Sequence, residues 1–116
     1  MTITRFCLVR HGETDWNAAR RLQGHTDIDL NARGFAQAKQ MARALQKIDL
    51  QFDVFYTSDL QRAAKTAQAI EALFKTSAIS NASLRERHLG ALQGLTTDEA
   101  PIREPELWQS HLSRNI

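Results

Sequence analysis

Asp53-Val54-Phe55-Tyr56-Thr57-Ser58-Asp59-Leu60-Gln61-Arg62 reads as a strand that turns directly into a helix. Asp53 to Tyr56 predicts a short strand, because β-branched and aromatic side chains suit a pleated backbone. Ser58 then opens a helix, and Gln61 three residues later completes a capping-box pattern. The apolar stripe of that helix runs through Leu60, Ala63, Ala64, Ala67, Ile70, Leu73 and Phe74. Downstream, Ala78-Ile79-Ser80 predicts a third short strand. Upstream, Asn31 caps a helix from Ala32 to Lys47, with Phe35, Ala38, Met41, Ala42, Leu45 and Ile48 at helical spacing. Before it, Ile3 to Val9 is β-branched and apolar and predicts a buried strand that ends at Arg10 and encloses Cys7. Strand, helix, strand, helix, strand implies parallel pairing through right-handed crossovers, hence an α/β fold.

The remaining stretches are polar or punctuated. His11 to Leu30 predicts loop with one short helix, and Asn81 to Thr97 predicts loop around Gly90 and Gly94. Pro101 and Pro105 punctuate one stretch, and Glu106 to Ile116 is weakly helical. The chain has 116 residues, which suits one domain but is short for an open α/β sheet with several crossovers. With 42% hydrophobic and 24% charged residues, the composition is that of an ordinary soluble globular protein.

Several function classes are excluded early. Net charge is +2, and the arginines, which outnumber the lysines, are scattered, so no basic stripe offers a nucleic-acid surface. A lone cysteine gives no disulfide framework and fits a reducing cytoplasm. The apolar run before Arg10 is too short for a signal-peptide core or a membrane span. No Gly-Lys-Ser or Gly-Lys-Thr occurs, so there is no P-loop. A cysteine phosphatase needs arginine six residues after its cysteine, and that position is Glu13. Cys7 and the histidines show no zinc-ligand spacing, so neither metal nor cofactor is expected.

In parallel sheets, ligands collect at the carboxyl ends of the strands. Arg10 and His11 stand at one such end, and Thr57, Ser58 and Arg62 follow another. A neutral imidazole can attack phosphorus and hold the group as phosphohistidine. Flanking arginine charges disfavour imidazolium and keep the ring neutral near pH 7. Arg10 and Arg62 supply two forks for the phosphoryl oxygens, and the helix start beside Arg62 adds amide donors. Gly12 allows close backbone approach. Glu86, in Leu84-Arg85-Glu86-Arg87-His88-Leu89-Gly90, is the candidate proton donor to the leaving oxygen. Glu13 fits an ion-pair partner that orients Arg10, and Trp16 fits a packing anchor.

Leu8-Val9-Arg10-His11-Gly12-Glu13-Thr14-Asp15-Trp16-Asn17 resembles the signature of the histidine phosphatase superfamily, the phosphoglycerate-mutase-like proteins. Further stretches agree in order. Residues Leu22 to Leu30 resemble the family's substrate loop, Tyr56 to Ala63 the segment bearing its second arginine, and Glu86 to Gly94 the segment bearing its acid–base glutamate. The resemblance implies that His11 is phosphorylated and that Glu86 donates the proton. It implies that Arg10, Asn17 and Arg62 bind the phosphoryl group, and that Gln23 and Gly24 line the substrate side. It also implies a three-layer α/β/α sandwich with a mainly parallel sheet, and no metal or nucleotide. The partner would be a small phosphorylated metabolite or inorganic phosphate, with association into a homo-oligomer open.

Two departures shape the expectation. The family's later half carries more strands and a second active-site histidine followed by glycine, yet no His-Gly pair follows His11 here. The single domain over residues 1–116 is therefore expected to lack the family's C-terminal part. Mutases of the family usually carry an arginine pair after a tryptophan, whereas Gln109 and Ser110 follow Trp108. That favours a phosphomonoesterase over a phosphoglycerate mutase, with a truncated, non-catalytic phosphate-binding module as the third reading.

Overall fold

A computed structural model of the chain describes residues 2–113. Among these, two helices form the centre: α2, Ala32–Lys47, and α3, Gln61–Phe74, packed against each other. A short α1 precedes them at Asp15–Ala18. Asn31 caps α2 as its sequence predicts, its side chain accepting from the Gly34 amide at 2.8 Å. Ala38, Ala42 and Leu45 are buried on one side of α2, and Ala67 and Ile70 on one side of α3. Ala42, Leu45 and Ile70 make the centre of the core, with Val9, Leu50, Phe55, Ala69 and Phe74 packed against it. Burying a side chain such as Leu45 or Ile70 contributes about 1.5–3 kcal/mol. The outer members of the α2 stripe fare differently. Ile48 is 70% exposed, and Phe35 and Met41 are also exposed.

The sheet is parallel, as the strand–helix alternation implies. Strand β1, Tyr56–Thr57, pairs with β2, Ile79–Ser80, in the register Tyr56↔Ile79 and Thr57↔Ser80. The ladder extends by bonds from the Ile79 amide to the Phe55 carbonyl and from the Asn81 amide to the Thr57 carbonyl. The first strand thus sits at the carboxyl end of the predicted run, where β2 lies alongside. Helix α3 crosses between the two strands, so the fold is α/β.

Three expectations need correction. Ile3 to Val9 forms no ladder, and Ile3, Phe6 and Leu8 are 70, 84 and 92% exposed. Cys7 is likewise exposed rather than buried. Apolar patterning reports only that a segment suits burial, whereas a strand also needs a ladder partner, and no described strand pairs with this one, although Val9 at its end packs against the core. The Ser58–Gln61 capping box does not form either. Leu60 is the N-cap of α3, Ser58 Oγ accepts weakly from the Leu60 amide, and the Gln61 amide donates to Asp27 Oδ1 at 2.7 Å. A carboxylate from a distant loop has displaced the local cap. Finally, Asn81 to Thr97 is more ordered than loop, with 3-10 turns at Ala82–Leu84 and Gly90–Leu92. Residues 94–97 also pair antiparallel with residues 20–22 around an Arg21↔Thr96 bridge. Beyond them come α4, Ala100–Arg103, and α5, Pro105–Ser113. No helix among the described residues is long and apolar enough to cross a membrane.

Candidate active site

His11 follows the extended segment and leads into the buried Gly12. Its Nδ1 lies 2.6 Å from the Gly12 carbonyl oxygen. A carbonyl can only accept, so Nδ1 carries the proton and Nε2 keeps its lone pair. Burial pushes the ring below its usual 6.5, the Gly12 bond opposes this, and the charges of Arg62 and Arg10 assist it while Glu86 opposes. A neutral ring is therefore favoured at pH 7, in the direction the sequence implies. These same interactions put Arg10, Arg62 and Glu86 within electrostatic reach of one imidazole.

Arg62 lies in the first turn of α3 and is 2% exposed. Its Nη1 donates to the Thr26 carbonyl at 2.8 Å and its Nη2 to the Gly24 carbonyl at 2.6 Å. A guanidinium has five N–H groups, so donors remain for an anion. The first amide of α3, which the sequence offers to phosphate, is taken by Asp27. Arg10 is exposed and has no hydrogen-bond or ion-pair partner among the described residues. Glu13 does not orient it. Its carboxylate accepts from Asn31 Nδ2 at 3.1 Å and pairs loosely with Arg33 at 4.0 Å. Glu86 is exposed, and its Oε1 accepts from the adjacent Arg87 amide. The neighbouring Arg85 anchors this segment through a two-pronged bond to Asp59, both contacts 2.6 Å.

Asn17, Gln23 and Gly24 form a second group, joined to the first through Arg62. Thr14, fully buried, caps α1 with Asn17 in a reciprocal box, and its hydroxyl also donates to Gln23 Oε1 at 2.7 Å. Asn17 Oδ1 accepts the Thr14 amide at 3.0 Å, so its NH2 end is the one left for a ligand. Gln23 is buried and serves this network. Gly24 has φ +54°, and a Cβ there would strike the Gln93 carboxamide. Gln93 Oε1 accepts the His25 amide at 2.9 Å and the Leu89 amide at 3.4 Å, tying the loop at residues 22–30 to the segment bearing Glu86. His25 and His88 meet edge to face, 4.7 Å between centroids. Trp16 is half-buried, its ring lying where a Cβ on Gly94 would meet it.

Sequence reasoning missed Thr14, Asp27, Thr66 and Gln93. Thr66 was the most legible of them, because it stands one helical turn after Arg62 and so shares its face. Among the described residues, no cluster of three or more histidine, cysteine, aspartate or glutamate side chains could hold a metal ion.

The sequence profile of the histidine phosphatase superfamily, branch 1, matches residues 6–116. The chain is 46% identical over 107 residues to phosphoglycerate mutase-like protein 4 of Arabidopsis thaliana, covering 91% of this chain and 46% of that one. It is 45% identical over 112 residues to a metal-independent phosphoserine phosphatase of the same plant, covering 96% and 47%. It spans about half the length of these curated relatives. Among solved structures, a mycobacterial glucosyl-3-phosphoglycerate phosphatase complexed with VO3 superposes with a TM-score of 0.78 at 35% identity, over 89% of this chain and 49% of that one. A phosphoserine phosphatase of Entamoeba histolytica in complex with 3-phosphoglyceric acid gives 0.76 at 33% identity, over 89% and 49%. With the profile matched across nearly its whole length, the chain belongs to the histidine phosphatase superfamily.

Proposed function

We propose that the chain carries the nucleophilic half of a phosphomonoesterase acting on a small phosphorylated metabolite. The observation that carries this reading is a His11 ring whose Nδ1–H is fixed by the Gly12 carbonyl, leaving Nε2 free in the field of Arg10, Arg62 and Glu86. Nε2 attacks phosphorus in line with the ester oxygen. The P–O bond to the leaving group breaks as Glu86, protonated in the substrate complex, gives that oxygen its proton. Arg10 and Arg62 hold the equatorial oxygens, joined by the NH2 of Asn17. Gln23 and Gly24 shape the substrate side. Water then attacks the phosphohistidine, Glu86 takes its proton, and inorganic phosphate leaves with Nε2 restored.

The relatives' names include a phosphatase and a mutase-like protein. Gln109 and Ser110 after Trp108 favour hydrolysis, because they offer no charge for a second acidic group on the substrate. The exposed, free Cys7 thiol is at home in a reducing cytoplasm.

The test is phosphate release from p-nitrophenyl phosphate by the chain, with and without a metal chelator, alongside alkaline quenching to trap phosphate on His11, whose loss on later acid treatment marks it as phosphohistidine. Release unaffected by chelation, and lost in His11→Ala, is expected. Hydrolysis that persists in His11→Ala overturns the reading. Isomerisation of phosphoglycerate primed by the bisphosphate would establish the mutase instead. Phosphate binding without turnover would leave a non-catalytic module.

A further inference from the structure

Thr66 is 4% exposed within α3, and its hydroxyl does two things at once. It donates to the Arg62 carbonyl at 2.7 Å and accepts the Gly12 amide at 2.9 Å, across 54 residues of chain. Bonding back to the carbonyl four residues earlier slightly disfavours a helix, so α3 gains nothing from this residue on its own account. The gain lies across the gap. The Gly12 amide belongs to the peptide joining it to His11, and the Gly12 carbonyl holds the His11 ring by Nδ1. On its other side Gly12 rests on the Gly34 backbone, with no room for a Cβ. Gly12 is thus clamped between the α3 hydroxyl and the start of α2.

We propose that Thr66 is a positioning residue for phosphoryl transfer, fixing His11 and Arg62 relative to each other through the Gly12 amide and the Arg62 carbonyl. The continuous path runs from His11 Nδ1–H to the Gly12 carbonyl, and from the Gly12 N–H through Thr66 Oγ1 to the Arg62 carbonyl. Every donor and acceptor on it is used, so an apolar substitute leaves a buried amide unpaired. The proposal rests on the reading of His11 as nucleophile.

Three forms of the 116-residue chain test it: wild type, Thr66→Ser, which keeps the hydroxyl, and Thr66→Val, which keeps the shape. Imidazole nitrogen NMR reads the His11 tautomer, and inorganic phosphate is titrated against the same signals. Wild type and Thr66→Ser are expected to hold one Nδ1–H tautomer and equal phosphate affinity. In Thr66→Val the single tautomer is lost and phosphate affinity falls about tenfold. A lower melting temperature with unchanged tautomer and unchanged affinity would mean that Thr66 is structural only, and overturns the proposal. If Thr66→Val does not fold, Thr66→Ala replaces it. A wild-type ring found in the Nε2–H form overturns the proposal without any variant. The two readings fail separately: hydrolysis surviving in His11→Ala sinks the nucleophile, whereas an inert His11→Ala beside a wild-type-like Thr66→Val sinks only the positioning.

Discussion

Residues 11–30 and residues 3–8 are separated by only Val9 and Arg10 and are held in opposite ways. The first stretch is polar and mostly irregular, yet Thr66, Gln37, Gln93 and Arg62 all bond into it from elsewhere in the sequence. The second is apolar and extended, and its large side chains face solvent. Polar groups make directional demands that a few well-placed partners satisfy, so the site keeps a defined shape within the described residues. Apolar burial is non-directional and needs area, and no described segment offers that area to Ile3, Phe6 and Leu8.

Substitutions on the two sides of this contrast should differ sharply. Arg62→Ala is expected to have the largest effect. It strips the Gly24 and Thr26 carbonyls of buried donors and empties a nearly closed site, at a cost of about 3 kcal/mol, with phosphate binding lost as well. Urea unfolding and a phosphate titration read the two losses, and a wild-type midpoint would show that the polar region is held otherwise. Gly12→Ala comes next, since its Cβ would meet the Gly34 backbone, which cannot yield as a side chain can. About 2 kcal/mol is expected.

Arg10→Gln is a gentler probe. Burial, aided by Arg62 and Arg10, holds His11 below 6.5 in the folded chain. As pH falls from 6.5 the unfolded chain takes up this proton first, so the folded state loses stability from there down through the folded midpoint. Removing the Arg10 charge should raise that midpoint towards 6.5 and shrink the loss. An NMR titration of the ring reads it, and an unmoved or lower midpoint would exclude Arg10 from the site. Leu8→Ser should do least, changing stability by less than about 0.5 kcal/mol by the same urea assay. A larger loss would mean that the apolar segment is covered in solution.

The helices were legible because their signals are local. The Asn31 cap, the spacing of Ala38, Ala42 and Leu45, and the breadth of α3 all lie within one stretch of chain. The neighbourhood of His11 was legible for another reason: arginine before it and glycine after it restrict what chemistry the ring can do. What stayed hidden was pairwise and remote. Nothing in Ser58-Asp59-Leu60-Gln61 announces that Asp27 will cap α3, and nothing near Gln93 announces its bonds to His25 and Leu89. By sequence Glu13 fits Arg10, three residues before it, but the start of α2 brings Asn31 and Arg33 to its carboxylate. The apolar pattern of Ile3 to Val9 predicts a buried strand that does not form, because pairing depends on a neighbour that its own residues do not encode.

Asp27 bonds to Gln61 across 34 residues, while Gly24 and Thr26 beside it take both ends of the Arg62 fork. Two adjacent residues of one element therefore grip a four-residue stretch of another at three points. Such a joint cannot swing; it can only be intact or detached. Lifting the loop would unseat the arginine and uncap the helix in the same event, so an anion resting on Arg62 would stiffen the loop at residues 24–27 as well as the helix turn it sits on.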